Sequence, residues 1–295
     1  MAPRADRRAA RAAGRPLKQS TDRSAEASIE PLAERAPKTM AERPLLVVAL
    51  GGNALSPPRG RQTYAVERAS VAAAARQLAT LAMAGHRLLI VHGNGPQVGR
   101  LLGRSADTRD LDLHVAQTQG ELGYLLAEAL ERATGTPACA LVTRVIVDPA
   151  DPAFGTPTKP IGPVLARRPA ESPSVRVAGG WRRVVASPRP QAVVETAAIA
   201  TLLAGHHVIA GGGGGIPLAR TDGAPVAVAG VIDKDWVAAQ LAIALGARSL
   251  VFATDVAGVE DAHGTPQARL RPRLSLAEAR ARLAAGTLGA GSMAP

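Results

Sequence analysis

The chain has 295 residues, is 46% hydrophobic but only 2% aromatic, and carries a formal net charge of +11. That length fills one large α/β domain or two smaller ones, with a core built from Leu, Val, Ile and Ala. A lone cysteine, Cys139, excludes an internal disulfide framework and fits a reducing cytoplasm, and no apolar run approaches the roughly 20 residues that a membrane span needs. The basic residues form no dense run and are not interleaved with aromatics, so the charge does not point to nucleic acid.

Residues 1–43 hold ten basic and six acidic residues among Ala and Pro, with little apolar periodicity. This composition predicts a disordered basic tail ahead of a domain running from 44 to 295. Its acidic residues and missing apolar stretch argue against a targeting leader. Met40 reads as a more natural start.

Residues 45–55, LLVVALGGNAL, open the domain. Six apolar residues suit a strand buried on both faces. Gly51-Gly52 lets the backbone turn tightly and aim bare N–H groups at an anion, the more so if a helix follows. An ordinary strand-to-turn pair reads the same way, but comparable junctions at 92–96 and 211–215 favour a ligand loop. After a Pro/Gly/Arg-rich stretch at 56–61, Thr63 is placed to cap a helix ending before Gly85. Residues 87–91, RLLIV, form a second buried strand that feeds His92-Gly93-Asn94-Gly95-Pro96, with Pro96 in the first turn of a helix. His92 reads as a structural group in preference to a catalytic base.

Residues 117–132 are helical, with Leu122, Leu125, Leu126 and Leu130 on one face, and 138–147 read as one strand. From 148 to 187 the texture turns proline-rich, which predicts a small inserted subdomain or lid with 181–185 as its return strand. A helix is expected over 193–204 and a strand over 207–210. Five consecutive glycines, 211–215, follow that strand directly and face a ligand rather than forming a linker. A helix opened by residues 231–236 and running to 245, a strand over 249–252 and a last helix capped by Ser275 and Glu278 complete the pattern. Alternating strands and helices predict an α/β fold, with a mainly parallel sheet and ligands beyond the C-terminal strand ends. Neither GxxxxGK[ST] nor a GxGxxG after a strand is present.

Phosphoryl transfer needs positive charge on the moving group and little covalent help. Lys234 lies between Asp233 and Asp235 at a helix start, which holds it charged, and Asp235 is placed to orient a lysine or a water-bridged Mg2+. Lys159, alone in a stretch that otherwise uses arginine, sits between Thr158 and Pro160 in a rigid turn suited to a lid over a phosphate. A surface lysine is the plain alternative for each.

The segments VVALGGNAL, HGNGPQVG, QGELGY, DPAFGTPTKPIGP, WRRVVASPRP, IAGGGGGIP, VIDKD and AGSM occur in this order between residues 45 and 293. Through them the chain resembles the carbamate kinases of the amino acid kinase fold. The resemblance implies a three-layer αβα sandwich with a small protruding subdomain, and a homodimer. It implies the reversible reaction of ATP with carbamate to give ADP and carbamoyl phosphate, with Mg2+, often run toward ATP at the end of arginine fermentation. Gly51, Gly52, Asn53 and Lys159 are implied as contacts to the phosphoryl group, and Lys234 as the transition-state lysine with Asp235 as its organiser. Gly93, Asn94 and Gly95, with Gly213, Gly214 and Gly215, fall on the carbamate side. Asp233, Thr254, Asp255, Val256 and Val259 fall on the nucleotide side.

The family continues past GSM with a lysine, a helix and a final strand, whereas here Gly291-Ser292-Met293 is followed by Ala294 and Pro295. A truncated, non-catalytic nucleotide-binding homologue is therefore the alternative reading. A related acyl-phosphate kinase with a larger substrate is a third, against which the PTKPIGP segment speaks. Deleting residues 1–39 is expected to leave the melting temperature unchanged; a drop of several degrees would show that the stretch packs.

Overall fold

The computed structural model describes residues 39–55, 63–103, 110–170, 172–221, 223–254, 256–262 and 265–286, all within the unit Lys38–Pro295. Residues 1–38 of the expected tail, the 56–61 stretch and the last residues, 291–295, lie outside the described residues. Where the chain is first described, the Glu42 carboxylate accepts from both the N–H and the hydroxyl of Thr39, each at 2.8 Å, closing a 3-10 turn over Met40–Glu42.

The first half of the chain forms β1 (Leu45–Leu50), α1 (Gly52–Leu55), α2 (Tyr64–Met83), β2 (Arg87–His92), α3 (Gly95–Leu102), α4 (Leu111–Thr134), β3 (Ala138–Ala140) and β4 (Arg144–Val147). Then come β5 (Lys159–Leu165), β6 (Ser174–Val177), β7 (Gly180–Val185), β8 (Pro190–Val193), α5 (Thr196–Leu202) and β9 (His207–Ile209). The rest supplies β10 (Ile216–Ala219), β11 (Val226–Ala227), α6 (Lys234–Ala244), β12 (Ser249–Ala253), β13 (Glu260–Asp261), β14 (Arg269–Leu270) and α7 (Leu276–Ala284).

Five strands pair in the order β12-β1-β2-β9-β3, all parallel. Every residue of β1 is buried, and its period of two divides them between two cores. Leu45, Val47 and Ala49 pack with Ile199 of α5 and with Val237, Ala238 and Leu241 of α6. Leu46, Val48 and Leu50 pack with Val71 and Leu78 of α2 and with Leu122, Leu126 and Leu130 of α4. The result is three layers, helix on sheet on helix, as the resemblance implies. Burying each such Leu or Val contributes about 1.5–3 kcal/mol.

A second sheet, ordered β11-β10-β4-β8 and of mixed direction, continues the first core through Val145, Val147 and Val193. The sequence did not suggest it. Residues 138–147, read as one strand, are two strands in different sheets. The break falls where Thr143 is drawn aside: its N–H donates to Gln119 Oε1 at 2.8 Å, its carbonyl accepts from Gln119 Nε2 at 3.1 Å, and its hydroxyl accepts from Gly211 N–H at 2.8 Å. Likewise the helix expected from residue 193 begins only at Thr196, because Val193 is the last residue of β8 and pairs with Val145.

The proline-rich stretch builds its own antiparallel sheet, β5-β7-β6. Its root lies on α3, where Val98 and Leu102 share an apolar cluster with Ile161 and Val185. At the centre two backbones touch: a Cβ on Gly99 would lie 1.9 Å from Gly162 Cα. Gly99→Ala must therefore push β5 away from α3, and should destabilise by about 1–3 kcal/mol. Gly120→Ala is the control, since its Cβ would meet nothing within 4 Å and alanine in a helix gains up to about 1 kcal/mol. Thermal melts should move in opposite directions; equal shifts would contradict the close packing.

Candidate active site

Parallel order decides where the loops go. Strands β12, β1, β2 and β9 are neighbours and release the chain at the same sheet edge, into 254–259, 51–53, 93–95 and 211–215. Gly93 N–H donates to the Leu50 carbonyl at 2.8 Å. A Cβ on Gly93 would sit 2.8 Å from Gly52 N and 3.5 Å from Lys234 Cδ, and one on Gly51 would sit 3.7 Å from the Ala253 carbonyl. The first two loops, the start of α6 and the end of β12 therefore adjoin. The glycine run closes the other side. Gly213 has a φ of +62°, and its absent Cβ would lie 2.1 Å from Asn94 Nδ2; only glycine fits there. Asn94, 1% exposed, is aimed by the bond from its Nδ2 to Thr118 Oγ1 at 2.8 Å.

The charges stand at the beginning of α6. Asp233 is its N-cap and accepts from Asp235 N–H at 3.0 Å through Oδ1. Its Oδ2 takes the ammonium of Lys159, which reaches in from β5. Lys234 Nζ donates to Asp235 Oδ1 at 2.7 Å, with the Asp235 carboxylate almost wholly buried. The sequence reading placed Lys234 between two carboxylates. The structure divides the work: Asp235 holds Lys234 and Asp233 holds Lys159. Burial pushes the Asp233 carboxyl up, but Lys159, the Asp235 N–H and Lys234 together bring it below its ordinary range. Asp233 thus stays ionised, and its stabilising contribution is lost only as pH falls through that lowered value.

Of the residues expected to act, Lys159, Lys234, Asp233 and Asp235 form one cluster, beside Gly51, Gly52, Gly93, Asn94 and Gly95. Gly213, Gly214 and Gly215 join through Asn94. Thr254, Val256 and Val259 follow β12, on the far side of Gly51. Asp255 and the Asn53 side chain lie outside the described residues. Asp233, which the resemblance groups with the nucleotide side, is bonded to Lys159 and caps α6.

Sequence reasoning missed the residues that hold these loops. Gln119 and Thr143 fix the glycine run from below. Behind Asn94, buried Gln97 donates to buried Glu67 at 2.6 Å, and Arg100 reaches Glu67 at 3.3 Å and Glu121 at 3.4 Å. Burial and then Glu67 push the Glu121 carboxyl up, against Arg100. The scarcity of lysine, used above for Lys159, extends to Lys234. Only four of the 35 basic residues are lysines, and residues 44–295 contain just two, Lys159 and Lys234.

Residues 44–295 match the amino acid kinase family. Carbamate kinase from Halobacterium salinarum is 40% identical over 84% of this chain and 85% of that protein. Carbamate kinase from Escherichia coli K12 is 42% identical over 76% of this chain and 79% of that protein. The solved structure of carbamate kinase from Giardia lamblia bound to AMP-PNP superposes with a TM-score of 0.76 at 34% identity, covering 86% of this chain and 87% of that one.

His92 ends β2 inside this site, 1% exposed, with Nδ1–H donating to the Gly93 carbonyl at 3.1 Å. Burial lowers its pKa to about 4, against the Gly93 carbonyl, which favours the proton. It is a neutral wall residue, not a base at neutral pH. Between pH 6.5 and the lowered value the unfolded chain binds a proton that the fold refuses, so stability falls as pH drops. His92→Gln should flatten that decline by about 2 kcal/mol between pH 6.5 and 5. Urea unfolding at the two pH values measures it; an unchanged slope would contradict burial as the cause.

Proposed function

The chain belongs to the amino acid kinase family, and from that premise we propose that it transfers a phosphoryl group reversibly between ATP and carbamate. The observation that carries this reading is the convergence of its only two domain lysines, each held by its own aspartate, on the edge where the glycine loops meet.

In the ATP-forming direction, a terminal oxygen of ADP attacks the phosphorus of carbamoyl phosphate, the bond from phosphorus to the carbamoyl oxygen breaks, and carbamate leaves with the electron pair. The transferred group spreads negative charge over its peripheral oxygens, and fixed donors stabilise it there. Lys159 and Lys234 supply the cations, and the backbone N–H groups of Gly51, Gly52 and Asn53 supply dipoles at the start of α1. Asp235 directs the Lys234 ammonium through their hydrogen bond. Gly93, Asn94 and Gly95, facing Gly213, Gly214 and Gly215, form the carbamate side, where bare backbone admits a very small substrate. Thr254, Asp255, Val256 and Val259 form the adenine side, and strand order supports this, since it sets the end of β12, from which Thr254 follows, next to the phosphate loop.

Among the described residues no group of three carboxylate, histidine or cysteine side chains is placed to hold a metal ion. The residues therefore fit Mg2+ as an ion brought by the nucleotide's phosphates, with at most a water-bridged link to Asp235; bound there, it would neutralise phosphate charge. A homodimer, a cytoplasmic location and service in arginine fermentation belong to the same reading. No helix among the described residues is long and apolar enough to cross a membrane. A non-catalytic homologue is not favoured, because both lysines and both carboxylates are present and paired.

Lys234→Ala should lower ATP formation from carbamoyl phosphate and ADP by about a hundredfold or more. It also strands the Asp235 carboxylate, 6% exposed, so Lys234→Ala with Asp235→Asn separates lost charge from lost stability. Coupled ATP assays and melting curves on both variants should give a folded, nearly inactive double variant; near-parental turnover would sink the assignment.

A further inference from the structure

We propose that Asp233 is a positioning residue that sets the spacing of the two lysines, holding Lys159 of the inserted sheet against the N-terminus of α6. This rests on the phosphoryl-transfer reading above.

One carboxylate has two duties in two parts of the fold. Oδ1 caps α6 through the Asp235 N–H at 3.0 Å. Oδ2 receives Lys159, the first residue of β5, 74 residues earlier in the chain. The residue after Asp233 is Lys234, so the helix that Asp233 caps is the helix that presents the second cation. Among the described residues, Asp233 is the one carboxylate paired with Lys159. Only about a quarter of either side chain is exposed, so the pair is shielded but still reachable from the site. The Asp233 carboxyl is held below its ordinary range, mainly by Lys159 against the cost of burial, as a persistent ion pair requires.

The return side of the inserted sheet is fastened to the same helix and to the segment that leads into it. Val231 N–H donates to the Ala186 carbonyl at 2.9 Å, and Gln240 Nε2 to the Pro190 carbonyl at 2.6 Å. The Arg189 guanidinium stacks over Trp236, 4.1 Å from the ring centroid. Asp151, ahead of Lys159, accepts the Arg189 N–H at 2.8 Å and so ties the two sides together. Lys159 pairs with Val185 on that pinned side, so the sheet places its backbone and Asp233 fixes where its ammonium stands relative to Lys234. The opposite role, in which Asp233 withholds Lys159 from the phosphate, predicts the opposite kinetics.

The test compares Asp233→Asn with Asp233→Ala in the full chain. Asparagine caps a helix about as well as aspartate, so Asp233→Asn loses the ion pair but keeps the cap and should melt closer to the parent than Asp233→Ala, which loses both. With its lysine unheld, Asp233→Asn should lose about tenfold or more in kcat for ATP formation, with KM for ADP changed much less. A second readout needs no turnover. The chain has only four lysines, Lys18, Lys38, Lys159 and Lys234, so a 15N-lysine ammonium spectrum holds at most four signals, and Lys159→Arg identifies its own. Asp233→Asn should shift or broaden that signal even if the parent proved inactive with carbamoyl phosphate, which would count against the function and not against this role. Parental kcat in Asp233→Asn, a raised kcat or lowered KM, or lost kcat with the Lys159 signal unmoved would each overturn the proposal.

Discussion

Burial of one strand on both faces governs the rest of the molecule. β1 cannot meet water on either side, so helices must cover both faces of the sheet around it, and crossovers through those helices make the neighbouring strands parallel. Parallel strands end together. The Gly51, Gly93 and Gly211 turns, separated by long stretches of sequence, therefore arrive side by side at one edge. A fold with antiparallel neighbours would have sent them to opposite ends.

In the proposed transfer the chemistry on that edge falls to very few charges. The protein is strongly basic, yet its basicity is almost all arginine, and the two lysines of the domain stand in the site. Lysine suits a task that needs a compact point charge rather than a planar fork. Each ammonium is paired with an aspartate two positions from the other's partner, at the head of one helix. In the proposed transfer an incoming phosphate would meet cations already gathered and partly shielded from water, which is the preorganisation that makes fixed charge effective.

Much of this was legible in the sequence. The strands at 45–50 and 87–92 are apolar runs closed by glycine, and Thr63 caps α2 and Ser275 with Glu278 caps α7 as local chemistry requires. The segment motifs placed the glycine loops and both lysines. What stayed hidden depends on partners far away in sequence. No periodicity reports that Thr143 is drawn from a strand by Gln119 and Gly211, so one apolar run became two strands in two sheets. The pairing of Asp233 was hidden for the same reason. Adjacent in sequence, Asp233 and Lys234 read as a pair, but the cap geometry turns Asp233 toward a lysine of another subdomain.

The most direct test of the account is 31P NMR of the purified full chain with carbamoyl phosphate, ADP and Mg2+. The phosphorus signal of carbamoyl phosphate should disappear as the γ-phosphate signal of ATP grows, faster than in a control without protein. Decay only to inorganic phosphate, at the rate of that control and with folded protein present, would contradict phosphoryl transfer by the site described.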